Sequence, residues 1–180
     1  MYGLINKAIQ NYVETNHGVE VWNTIKGKAG INLDNFSTMK AYPDELTYGI
    51  VQSSCEVLNL EGGDFLEKIG YYWMSYTAVE GYGDLLNAGG NSLPEFLNNL
   101  NLMHFRLGTV MPDMVMPTFT TKIIDENTLE LHYKSHRAGL APMVVGIIKA
   151  LGDRFKTPCR LELIQSKSTG HGHDVFIVSW

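Results

Sequence analysis

Cysteine is scarce in this 180-residue chain, which carries only Cys55 and Cys159. Neither has a Cys or His neighbour at the short spacing of a metal clip, and two thiols cannot build a disulfide framework. A reducing, cytoplasmic setting is therefore expected. Basic runs are missing as well. The 14 Lys and Arg are scattered among 19 Asp and Glu, for a net charge of -5. Nucleic-acid phosphates need clustered cations, so neither nucleic acid nor an anionic membrane surface is an expected partner. No apolar run approaches the roughly 20 residues of a membrane span. The N-terminal MYGLINKAIQNYVETNHG carries Glu14 and has neither the apolar stretch nor the small-residue site of a signal peptide, so no membrane insertion is expected. There is no Walker-type phosphate loop, no Gly-x-Gly-x-x-Gly and no Gly-x-Ser-x-Gly, and no His–carboxylate spacing suggests a hydrolytic metal site.

What the chain does have is enough apolar residue to fold. At 44% hydrophobic and 18% charged it suits one globular domain, with room for two lobes. Apolar spacing predicts helices over 3–16 and 19–28, another opened by Pro43-Asp44-Glu45 and running to about Leu60, and a fourth over 63–79. The glycine-rich 81–91 stretch predicts only short helical turns. Ser92 and Glu95, three apart, read as a capping box for a helix running to about Val110. Pro112 and Pro117 bracket a segment that is neither helix interior nor central strand. The period then changes to two. Strands are expected over 118–124 and 128–136, and again over 158–166 and 173–179, with an apolar helix over 139–154 between the hairpins. Helices followed by a four-stranded antiparallel sheet make an α+β fold.

Two constellations carry chemistry. His104 falls on the apolar stripe of its helix, four after Leu100 and three before Leu107. A buried imidazole must bond both ring nitrogens or bind something. One reading is a core His bonded to a carbonyl. No second ligand sits at helical spacing on that face, so a zinc site is disfavoured. Haem iron, which needs one protein His because the macrocycle supplies four nitrogens, remains open. The second constellation is Tyr133, Ser135 and Arg137, which alternate along the predicted strand and so would share a face. They read either as a solvated strand end with Arg137 in a surface ion pair, or as a carboxylate clamp, with the guanidinium fork and two hydroxyls as donors. Haem has two propionates, so both constellations serve one ligand. His171-Gly-His173-Asp174 reads as a hairpin tip, Tyr71-Tyr72-Trp73 as core and Cys55 as a buried thiol.

These features, together with MYGLINKAI, NSLPEFLNNLNLMHFRLG, YKSHRAGLAPMVVGIIKALG and TGHGHDVF, resemble the haem nitric oxide/oxygen binding (H-NOX) family over essentially the whole chain. The resemblance implies an N-terminal helical lobe (1–60) packed on a lobe (61–180) of helices and sheet, with haem b (iron protoporphyrin IX) between them. It implies His104 as the iron ligand and Tyr133, Ser135 and Arg137 at the propionates. Ile5 and Pro117 would press the porphyrin out of plane, with Leu100 beside it, and Trp73 and Met143 would line the gas-binding side. Oxygen-binding members use a Tyr hydroxyl that, counted without gaps, falls at Pro142. The implied function is a non-catalytic sensor of nitric oxide and carbon monoxide that excludes oxygen. It would signal by releasing His104 and shifting the lobes toward a histidine kinase, a diguanylate cyclase, a chemotaxis receptor or a fused domain. The rival readings are an oxygen-binding sensor, a haem enzyme of peroxidase or nitric oxide dioxygenase type, and a haem-free carboxylate binder. Against a peroxidase, His132 and His136 alternate away from the clamp face.

Overall fold

The computed structural model describes residues 1–110 and 115–180, so Pro112 lies outside the described part. Helices α1 (Gly3–His17), α2 (Val19–Lys28) and α3 (Asp44–Leu58) are followed by α4 (Gly62–Tyr72). A π-helical turn, Trp73–Thr77, joins α4 to α5 (Ala78–Asn87). Then come α6 (Leu93–Val110), β1 (Thr118–Asp125), β2 (Thr128–Lys134), α7 (Ala141–Arg154), β3 (Arg160–Gln165) and β4 (Asp174–Ser179). The strands form one antiparallel sheet in the order β1-β2-β4-β3. The α+β class stands as expected.

Several local expectations need correction. The 63–79 helix is not uniform, because the π turn widens it at Trp73. The glycine-rich stretch is more helical than expected: α5 runs to Asn87, leaving helical dihedrals only at Tyr82 (φ -140°, ψ 27°). The capping box is half formed. Ser92 Oγ accepts the Glu95 N–H at 3.4 Å, but Glu95 Oε2 reaches past Ser92 to accept the Asn91 N–H at 2.8 Å. Tyr71 is not core, since it is 39% exposed and its hydroxyl donates to Asp153 Oδ2. The Cys55 thiol is half-buried rather than enclosed.

Two apolar clusters organise the chain. One gathers Ile9, Val13, Trp22, Ile25, Ile50, Phe65 and Ile69 from α1 to α4. The other joins Leu93, Phe96, Leu97 and Leu100 of α6 to Leu129 and Leu131 of β2, Ile148 and Leu151 of α7, and Phe176 and Val178 of β4. Met143 of α7 packs with the first cluster although its helix neighbours belong to the second. α4 and α7 meet almost backbone to backbone. A Cβ on Gly146 would lie 1.9 Å from the Glu67 carbonyl oxygen, and one on Gly70 2.1 Å from that of Met143. Only glycine permits this approach. Met143 of α7 and Trp73, at the start of the π turn that follows α4, both line a cavity.

Candidate functional site

That cavity is lined mainly by the second cluster and by Tyr2, Leu4 and Ile5 at the start of the chain, and all nine residues singled out in the sequence line it. Ile5, Leu100 and Met143 are apolar walls, Pro117 closes one side, and Trp73 enters from the π turn. His104, Tyr133, Ser135 and Arg137 supply the polar groups. An apolar pocket with a few convergent polar groups is the usual form of a small-molecule site.

His104 is held by α6, whose buried face of Leu93, Phe96, Leu97, Leu100 and Met103 fixes the rotation of the helix. Two asparagines, exposed on α6, dock it onto β1. Asn98 Oδ1 accepts from Thr121 Oγ1 and Asn101 Oδ1 from the Phe119 N–H, each at 2.8 Å. The His104 Nδ1 is buried and has no hydrogen-bond partner. Desolvation pulls the imidazole pKa down to about 4, against a smaller opposing pull from the Pro117 backbone, which makes no hydrogen bond of ordinary geometry. The ring is therefore neutral at pH 7, the form in which an imidazole binds metal.

This shift has a measurable consequence. A folded-state pKa below the ordinary 6.5 means that the unfolded chain binds the proton first. Stability is then lost as pH falls from above 6.5 to about 4, and no further below that. The cofactor-free protein should lose about 3 kcal/mol over that window through His104. Urea titrations at pH 7 and pH 4 check this: His104→Leu should show a pH-dependent loss smaller than wild type by that amount.

The clamp is built differently from the expected strand face. β2 ends at Lys134, so only Tyr133 stands on it, and Ser135 and Arg137 lie in the following turn. Burial raises the Tyr133 pKa, which keeps its hydroxyl protonated as a donor. Ser135 Oγ accepts the Arg137 N–H at 3.1 Å. The Arg137 guanidinium forks onto Asp44 at the start of α3, with Nε to Oδ2 at 2.8 Å and Nη2 to Oδ1 at 3.1 Å. Burial opposes the Asp44 charge, but Arg137 and the Met1 ammonium outweigh it and hold the carboxyl below its usual range. Arg137 thus makes an ion pair, yet its side chain is only 15% exposed and lines the cavity.

Four residues that matter here were not found from the sequence. Asp44 figures in the sequence only as part of a helix start; its partner lies 93 positions away. Lys167 Nζ donates to the carbonyls of Ser135 (2.6 Å) and His136 (3.1 Å), holding the clamp turn. Buried Asp174 positions Lys167 by accepting its backbone N–H at 2.8 Å. Phe119 of β1 stands between His104 and Tyr133, with ring centroids 5.5 and 5.1 Å away, and links the two as a series of tilted rings. The in-register pairing of Phe119 with Tyr133 would have signalled it. His132, by contrast, faces away from the cavity, bonded to Glu130 and His173.

The haem-NO-binding family model matches residues 2–163. This chain belongs to the haem-NO-binding family. It is a ligand-binding gas-sensor domain, not an enzyme in its own right. Among curated relatives it is 32% identical over 152 residues to the Caenorhabditis elegans soluble guanylate cyclase gcy-37, covering 83% of this chain and 22% of that protein. To soluble guanylate cyclase gcy-31 of the same organism it is 27% identical over 165 residues, covering 91% and 24%. The chain thus spans about a quarter of the length of these relatives. Its fold matches an H-NOX protein from S. oneidensis in the Fe(II)NO ligation state, with TM-score 0.91, 18% identity and coverage of 99% and 98%. It also matches the Fe(II) unliganded H-NOX protein from K. algicida, with TM-score 0.86, 22% identity and coverage of 99% and 96%. The cavity brings together a neutral imidazole with an unpartnered Nδ1, apolar walls and the Arg137 guanidinium, a donor set that fits a flat, apolar macrocycle with acidic side chains.

Proposed function

We propose that this domain holds haem b and senses nitric oxide and carbon monoxide. The observation that carries the reading is His104, a neutral, half-buried imidazole whose shielded Nδ1 has no partner, set in an apolar cavity that Arg137 also lines. In this reading His104 is the single protein ligand, and Tyr133, Ser135 and Arg137 hold the two carboxylates. Ile5 and Pro117 would press on the macrocycle, Leu100 would lie beside it, and Trp73 and Met143 would border the space left for gas. When bound, the haem supplies a ferrous iron with one open coordination position.

The chain's residues set selectivity and output. Pro142, on the first turn of α7, has no side-chain donor, so no hydroxyl there can stabilise a polarised ligand. Oxygen depends on such a donor far more than nitric oxide does. Output resides in α6. While His104 is held, the helix is tied to the cavity; once His104 is released, α6 is free to relax against Phe119 and Pro117. The lobe of residues 1–60 then shifts against 61–180, a two-state element biased by ligand. The Asp44–Arg137 pair spans the two lobes and resists that shift. The receiver is a downstream cyclase-type domain or a separate histidine kinase, diguanylate cyclase or other cytoplasmic signalling protein.

Absorption spectra of the ferrous, haem-loaded protein test this. In air the unliganded ferrous spectrum should persist, and nitric oxide should convert it to that of a species that has lost the His104 ligand. A stable oxygenated spectrum in air would defeat the selectivity claim, and an unchanged His ligation under nitric oxide would defeat the release claim.

A further inference from the structure

The sheet has two edges, β1 and β3, and they are treated differently. The start of β1 is guarded by α6, because Asn101 Oδ1 accepts the outward Phe119 N–H. Among the described residues β3 has no such guard. The Trp180 N–H donates to the Asn127 carbonyl, so even-numbered residues of β4 bond β2, whereas Ile177 and Ser179 bond β3. Their partners Glu162 and Arg160 turn their backbone groups into the ladder. The N–H and C=O groups of Leu161 and Leu163 therefore point away from the sheet. Among the described residues no hydrogen bond reaches them. Apolar side chains are exposed on the same strand, Leu163 by 44% and Ile164 by 51%. Arg160 and Glu162 are exposed as well and share the face opposite Leu161. Neither has an ion-pair partner among the described residues.

We propose that two copies of this chain pair antiparallel along β3, making one eight-stranded sheet across a two-fold axis. The inference is independent of the haem reading. Outward groups must meet outward groups, so odd-numbered residues oppose odd-numbered ones. That leaves few registers. Centred on Arg160 or on Glu162, the pairing sets like charges directly opposite each other. Centred on Leu163, it runs into the bulge between Leu163 and Gln165. Centred on Leu161, each Arg160 lies opposite the other copy's Glu162, twice by symmetry, and Leu161 exchanges both backbone bonds with its own copy. Charges and bulges ordinarily keep sheet edges apart. Here the charges repel in the wrong registers and attract in one. The bulge confines the pairing to the first half of β3, so the dimer is weak, with a Kd on the order of 100 μM.

Analytical ultracentrifugation of the purified protein from about 10 to 500 μM tests this. The wild type should pass from monomer to dimer across that range. Glu162→Arg and Arg160→Glu should each weaken association at least about tenfold, because both cross-strand pairs become repulsive. The double variant Arg160→Glu/Glu162→Arg should restore it, since the swapped charges face each other again. In the wild type, exchange of the Leu161 amide should slow as concentration rises, a readout that needs no variant. A wild type that stays monomeric would overturn the proposal and leave the edge to a strand of another protein. A dimer that ignores the single reversals, or that the double swap does not restore, would place the contact elsewhere and overturn it too.

Discussion

A His104→Gly protein should lose haem on desalting and regain it when free imidazole is supplied. The substitution removes the only imidazole among the described cavity-lining residues and leaves a space of the same shape on an otherwise unchanged α6. Residues that merely support a metal ligand are worth about 10–100-fold in affinity, so loss of the ligand itself should cost at least about 100-fold. The helix should survive. Its rotation is set by Leu93, Phe96, Leu97 and Leu100, and its docking on β1 by Asn98 and Asn101, none of which the substitution touches. Haem retention with and without imidazole, measured by Soret absorbance against protein concentration, checks the result. Exogenous imidazole is not tethered to α6, so the rescued protein should bind nitric oxide without the accompanying helical shift.

The second large effect is on stability. Gly146→Ala places a methyl 1.9 Å from the Glu67 oxygen and 2.7 Å from the Tyr71 nitrogen. Both atoms are backbone, so α4 and α7 must separate. Overpacking commonly costs about 1–3 kcal/mol, and a backbone clash belongs at the upper end even after helix propensity returns about 1 kcal/mol. A loss of about 3 kcal/mol corresponds to a fall in Tm of roughly 6–12 °C for a domain of this size. Gly49→Ala, in α3 with open space around the added carbon, is the control and should be neutral or slightly stabilising. Because α4 leads into Trp73 and α7 carries Met143, the Gly146 variant should also hold haem less well.

The contrast between what sequence showed and what it hid follows from range. His104 could be read as inward because a helix repeats every few residues and its own neighbours define the buried face. The four strands and the antiparallel class were equally legible from period and turn residues. The nine cavity residues converge, although five of them (Ile5, Leu100, Pro117, Trp73 and Met143) were placed by resemblance rather than by spacing. What stayed hidden depends on distant partners. Alternation placed Arg137 on a strand face, but the strand stops at Lys134 and an ion pair with Asp44 sets the guanidinium instead. Lys167 reads as an ordinary turn lysine until the fold brings it beneath Ser135. The π turn has no periodic signature, because one extra residue per turn is invisible in a run already apolar on several sides.

The central claim is that this cavity takes one haem, held by His104. Titration of ferrous haem into the cofactor-free protein, followed at the Soret band, tests it most directly. The account predicts saturation at one equivalent with the spectrum of a five-coordinate His-ligated iron, lost in the His104→Gly protein. Saturation with an identical spectrum in that variant, or no binding by the wild type, would contradict it.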